Sequence, residues 1–276
     1  MPYARHGDVR IFYRVEGSGR PLVLLHGFGA SSEALYFLGW VAALRESYRL
    51  IVMDMRGHGQ SDKPHEPEAY RMEQLVGDVT AVLDSFGARQ AHFLGYSSGG
   101  EIGWGMAKYA PERLTSLIVG GAEAEDPDPD HPSKWSEQTI RLLRSGREAF
   151  VAAAREAAER EIRVAQRPAL LEAILPQRLQ LIAKADPEAL IAMLLWQQKE
   201  VLRIRDILPH LTIPCLLFVG EADGYFEGAK AASRLIPRAR FVSLPGMAHF
   251  ETAARADLVA PPLLRFLTEV DRGFPD

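Results

Sequence analysis

Ala91-His92-Phe93-Leu94-Gly95-Tyr96-Ser97-Ser98-Gly99-Gly100, followed by Ile102-Gly103-Trp104-Gly105-Met106-Ala107, is the stretch that decides how this chain folds. The apolar run Ala91 to Gly95 predicts a strand covered on both faces, and the segment from Ile102 predicts a helix. Between them stands Gly-x-Ser-x-Gly, centred on Ser97. Alone, that pattern arises by chance in about one chain in ten of this length. Its setting of strand, sharp turn and helix is what lifts it above chance. The glycines permit a strained turn that pushes the Ser97 hydroxyl into the open, and the Ser98 N–H at the helix start can donate to an oxyanion.

Working outward, further short runs of Leu, Val and Ile read as strands: Leu22 to Leu25, Arg49 to Met53, Leu114 to Val119, Ile213 to Val219 and Arg240 to Leu244. Tyr3 to Arg5 and Val9 to Val15 suggest a hairpin turning at Gly7-Asp8. Helical stretches alternate with the runs. Met72 to Phe86 carries Leu75, Val79, Val82 and Leu83 at helical spacing, and Leu258 to Val270 predicts a terminal helix. Strand–helix alternation implies an α/β sheet with right-handed crossovers. The pattern changes after Gly121. An acidic, proline-broken connection at 125–132 leads into a helical region reaching Leu208, with breaks near Gly146, Pro168 and Pro187. Asp126, Asp128 and Asp130 lack a calcium-loop pattern and read as solvated loop. The expected division is a core of residues 1–124 and 209–276 with a helical insertion at 125–208.

The 276 residues are 47% hydrophobic and 25% charged, enough to bury a sizeable core. A net charge of -4 gives no electrostatic case for nucleic acid or an anionic membrane surface. No stretch approaches the roughly 20 apolar residues of a membrane span, and the first residues carry no signal-peptide core. The single cysteine, Cys215, lies in an apolar run and reads as a core residue. A cytoplasmic location is the expectation. Oligomeric state is not legible.

With these segments in place, the sequence resembles the α/β-hydrolase superfamily over nearly the whole chain outside 125–208. His26-Gly27-Phe28-Gly29, after the strand Leu22 to Leu25, is similar to the family's oxyanion loop, which implies that Phe28 supplies a second backbone N–H beside that of Ser98. Asp54-Met55-Arg56-Gly57-His58-Gly59-Gln60-Ser61-Asp62-Lys63-Pro64 is similar to the loop after the next strand, and is expected to be structural. The resemblance implies a mostly parallel eight-stranded sheet with helices on both faces and an inserted α-helical cap.

A serine hydroxyl needs a neighbouring base, usually histidine. Of the eight histidines, His249 follows the strand Arg240 to Leu244, at the carboxyl end where α/β sheets place catalytic groups. Its Gly246-Met247-Ala248-His249 setting matches the family's Gly-x-x-His. His26 is expected to brace the oxyanion loop and His92 to lie in the core, while His6, His65, His131 and His210 fall in predicted turns and loops. The imidazole needs an acceptor on its far nitrogen. Asp223 and Glu221 both follow the strand ending at Val219, and the resemblance favours Asp223 through Gly220-Glu221-Ala222-Asp223. The order Ser97, Asp223, His249 is that of this superfamily.

The resemblance implies acyl transfer through an acyl-enzyme, with no metal or cofactor required. Haloalkane dehalogenases and epoxide hydrolases of the family carry an aspartate where this chain has Ser97. Expected is a carboxylic ester hydrolase or lactonase acting on a small molecule. Carbon–carbon hydrolases of ring-cleavage products, cofactor-free haloperoxidases and small-molecule receptors on the same scaffold are the alternatives. The apolar residues of 125–208, among them Trp135, Leu142, Leu143, Phe150, Leu170, Leu175, Leu179 and Met193 to Trp196, are expected mostly to pack the layer down. The segment is expected to act as a lid over an apolar acyl pocket that prefers neutral, medium-length acyl groups to charged ones.

Overall fold

In the computed structural model, which describes residues 3–124, 133–200 and 202–273, the short apolar runs become one eight-stranded sheet. β1 (Tyr3–His6) and β2 (Val9–Glu16) form the predicted hairpin. β3 (Pro21–Leu25), β4 (Arg49–Met53), β5 (Ala91–Tyr96), β6 (Leu114–Gly120), β7 (Cys215–Gly220) and β8 (Ala239–Leu244) complete the order β1-β2-β4-β3-β5-β6-β7-β8. The pairs β1–β2 and β2–β4 are antiparallel, and every later pair is parallel.

Side chains alternate across a strand, so an inner strand buried on both faces must be apolar at successive positions. Val23, Leu25, Phe93 and Val119 join a cluster on one face, beneath Val79 and Val82 of α3 (Met72–Phe86) and Trp104 of α4 (Ser98–Tyr109). Leu22, Leu24, Leu94 and Ile118 join the cluster on the other. There they meet Trp40 and Leu44 of α2 (Trp40–Leu44) and Leu263 and Phe266 of α11 (Ala256–Asp271). Burying each such side chain is worth about 1.5–3 kcal/mol. The remaining core helices are α1 (Ser32–Phe37), α9 (Phe226–Leu235) and α10 (His249–Ala253).

Four helices stand between β6 and β7: α5 (Lys134–Arg144), α6 (Arg147–Val164), α7 (Pro168–Lys184) and α8 (Pro187–Gln197). The predicted breaks fall between them. Pro168 and Pro187 each sit in a first turn, where the missing N–H costs nothing, and the Asp186 side chain caps α8 by accepting from Ala189 N at 3.1 Å. Ile140, Leu143, Leu190 and Leu194 form a cluster of their own in this layer, with Phe28 packed against it. Trp135, expected to pack the layer down, is 55% exposed. The acidic connection at 125–132, with Asp126, Asp128, Asp130 and His131, lies outside the described residues.

Candidate active site

Ser97 ends β5 and begins α4 with φ 55° and ψ −122°, one of two non-glycine residues at positive φ among the described residues. Such a conformation is strained and persists only where the surroundings over-determine it. Here they do. A Cβ on Gly95 would lie 2.0 Å from the Gly99 carbonyl oxygen, and one on Gly99 would lie 2.5 Å from the Leu25 oxygen. Only glycine at both positions lets β5, α4 and the end of β3 close this tightly. Gly100 N and Glu101 N donate back to the Ser97 carbonyl, and Ser97 N donates to Gly120 O. The Ser98 N–H, in the first turn of α4, donates to no acceptor among the described residues.

The loop after β3 brings a second such group. Gly29 N donates to His58 Nε2 at 3.1 Å and Ala30 N to Gly27 O, whereas Phe28 N has no acceptor among the described residues. Two buried imidazoles hold this loop. His26 Nδ1 is 2.8 Å from Gly27 O, so Nδ1 carries the proton and Nε2 accepts from Met55 N at 3.2 Å. His58 is arranged likewise, with Nδ1 3.0 Å from Arg56 O. Each ring is thereby kept neutral, and burial lowers both pKa values, that of His58 to about 3. Bracing, the expected part for His26, is what its bonds do. Asp62 pairs with Arg10 at 2.8 Å and is not among the residues lining the cavity.

His249 opens α10, and its Nδ1 lies 2.7 Å from Asp223 Oδ2. The other Asp223 oxygen accepts from Tyr225 N at 3.2 Å, so the buried carboxylate is engaged on both sides. Glu221 is exposed. The imidazole stands between Tyr96 and Tyr225, with ring centroids 5.1 and 5.6 Å away, and the Tyr96 hydroxyl donates to the His249 carbonyl. Ser97, His249 and Phe28 line one cavity of about 150 Å³. No hydrogen bond joins Ser97 to His249 among the described residues. Such bonds are often long until substrate is bound.

One histidine departs from expectation. His6 ends β1 and is no loop residue; its Nδ1 lies 2.9 Å from Asp78, which also takes the buried Arg56 guanidinium at 2.6 Å. His210 sits in a short 3-10 turn, as expected. The wall of the cavity goes beyond what the sequence predicts. Arg178, Leu181 and Ile182 of α7 face into it together with Phe250. The spacing i, i+3, i+4 was the available signal, since it puts the three on one helix face. Glu101, one turn beyond Ser97, is a further omission. Burial and the neighbouring Glu123 push its carboxyl up to about 7, and Gln197 of α8 donates to it at 2.9 Å.

A family model described as alpha/beta hydrolase fold matches residues 20–251. Over 99% of its length the chain is 29% identical to a protein of Azorhizobium caulinodans provisionally named carbamate hydrolase RutD, all of which is covered. Epoxide hydrolase 4 of Mus musculus is 35% identical over 146 residues, half of this chain but 37% of that protein. The enol-lactonase of Burkholderia xenovorans LB400 superposes with a TM-score of 0.81 at 25% identity, covering 97% of this chain and all of the other. With its sheet order, its strained serine turn and a family match across most of its length, the chain belongs to the α/β-hydrolase fold family of hydrolases.

Proposed function

We propose that this hydrolase cleaves a small carboxylic ester or lactone through an acyl-enzyme on Ser97. The observation that carries the reading is the cavity that Ser97 shares with His249 and Phe28, beside the two unengaged N–H groups of Phe28 and Ser98. Ser97 Oγ attacks the carbonyl carbon while His249 Nε2 takes its proton. Asp223 holds the imidazole with Nδ1 protonated and stabilises the imidazolium. The carbonyl oxygen becomes an oxyanion, and donors already aimed at it need no reorganisation. His249 returns the proton to the leaving oxygen, then activates a water that releases the acid.

Helices α5–α8, within residues 125–208, act in this reading as a lid on the core formed by 1–124 and 209–276. α7 supplies Leu181 and Ile182 to the acyl side, and Trp135 of α5 packs edge-on against Phe28 at 5.5 Å. A cavity of about 150 Å³ is the size that takes a benzene-like molecule, so the acyl part is short. Carbamates present the same carbonyl to the same serine and belong in the test. Epoxides do not, because opening one at Ser97 would leave an ether that no water addition at a carbonyl could release.

The test is a panel of short neutral and anionic alkyl esters, small lactones and a carbamate, offered to the wild type and to Ser97→Ala. Multiple turnover of an ester or lactone is expected, with kcat lower by at least about ten-thousandfold in the variant. A single slow turnover, or none on any ester or lactone, overturns the reading, and the former outcome is that of a receptor.

A further inference from the structure

One wall of the cavity does not fit a purely apolar acyl group. Arg178, on α7, lines the cavity that holds Ser97 and His249. Its guanidinium carbon stacks 3.8 Å from the centroid of Phe250, the residue after His249. Stacking uses the ring face and leaves the in-plane N–H donors free to point elsewhere. The Nη1 atom is shielded from solvent and has no hydrogen-bond partner among the described residues. No carboxylate forms an ion pair with Arg178 among the described residues. Glu161, whose charge Arg178 feels, already accepts from Glu251 N at 2.8 Å, and Glu251 in turn accepts from Gln166 N and Arg167 N. Burial pulls the Arg178 pKa down, yet an arginine remains charged at neutral pH. A half-buried cation with no carboxylate in direct contact is costly to a fold, and a side chain of Leu or Met would fill the same place without that cost.

We propose that Arg178 is the specificity residue for a carboxylate on the acyl part of the substrate. The proposal rests on the ester or lactone reading and narrows it to short half-esters of dicarboxylic acids, or lactones with a carboxylate side arm. One cation calls for one negative charge, and a planar guanidinium fork matches a carboxylate in bidentate fashion. A phosphate dianion would bring more charge than this wall balances. The apolar remainder of the cavity, with Leu181 and Ile182 three and four residues along the same helix face, fits the methylenes between that carboxylate and the scissile carbonyl. The sequence-based expectation is a neutral acyl group; the proposed one has an apolar middle and an anionic end.

Two measurements test this. The first is kcat/KM for monoethyl glutarate against ethyl hexanoate, acyl groups of similar length, followed by proton release at constant pH. The wild type should favour the half-ester on the order of 100-fold. In Arg178→Met that ratio should fall to within a few-fold of one, with Arg178→Lys in between. The second leaves Arg178 untouched and needs no turnover: calorimetric binding of intact monoethyl glutarate and of intact ethyl hexanoate to Ser97→Ala. The half-ester should bind at least tenfold more tightly. Hydrolysis of both esters without a preference for the half-ester, or equal binding of the two esters, overturns the Arg178 assignment and leaves the esterase reading standing. Preferential binding of the half-ester with no ester or lactone turned over does the reverse.

Discussion

Asp223 and Glu221 stand two residues apart in the turn after β7, and only the first reaches the imidazole. The turn buries Asp223, with one oxygen on His249 Nδ1 and the other on Tyr225 N, and leaves Glu221 in solvent. Asp223→Asn keeps the size of the group but offers an amide N–H that favours the wrong histidine tautomer. It should lower kcat by about a thousandfold or more, while Glu221→Gln stays within about threefold of wild type. Steady-state rates of the two folded variants on one ester check this, and a larger loss in Glu221→Gln would reassign the acid. The placement of Ser97, Asp223 and His249 at strand ends was legible because each follows a recognisable strand within a short glycine-marked turn. The position of Arg178 was not. A single arginine among the Leu, Ile and Gln residues of 174–182 carries no motif, and only the packing of α7 turns it toward the cavity.

At the scale of elements, the loops after β3 and β4 are locked together by histidines that serve as neutral spacers. His26 accepts from the β4 loop and His58 from the β3 loop, and both are buried. Their folded pKa values lie below the unfolded one of about 6.5, that of His58 near 3. The unfolded chain therefore binds protons that the folded chain refuses. Stability is fully present above about pH 6.5 and is lost as pH falls from there toward 3, by up to about 1.4 kcal/mol per pH unit for each such group. His58→Gln, which cannot titrate, should show a shallower fall of Tm between pH 6.5 and 4 than wild type. Parallel curves would contradict the neutral, buried state of His58. The strands themselves and α3 were readable because burial on both faces, or one helical stripe, leaves a direct hydrophobic pattern. His6 was misjudged as a loop residue because its partners, Asp78 and Arg56, arrive from other elements.

For the whole molecule, the sheet is a platform whose parallel strands deliver their carboxyl ends to one edge. The β3 loop, the β5 turn, the β7 turn and the β8 loop each place a group of the site there, although 223 residues of sequence separate His26 from His249. The order of segments made the α/β sheet and a run of helices between β6 and β7 readable in advance. The volume of the cavity was not readable, because it depends on how α7 and its Arg178 dock over the β3 and β8 loops. In the proposed reaction this platform arms Ser97 as the nucleophile. Peptide mass mapping after treatment with a serine-directed fluorophosphonate tests this. One adduct is expected, on the peptide carrying Ser97, absent from folded Ser97→Ala. A stable adduct on another residue, or ester hydrolysis by Ser97→Ala at near wild-type rate, would contradict it.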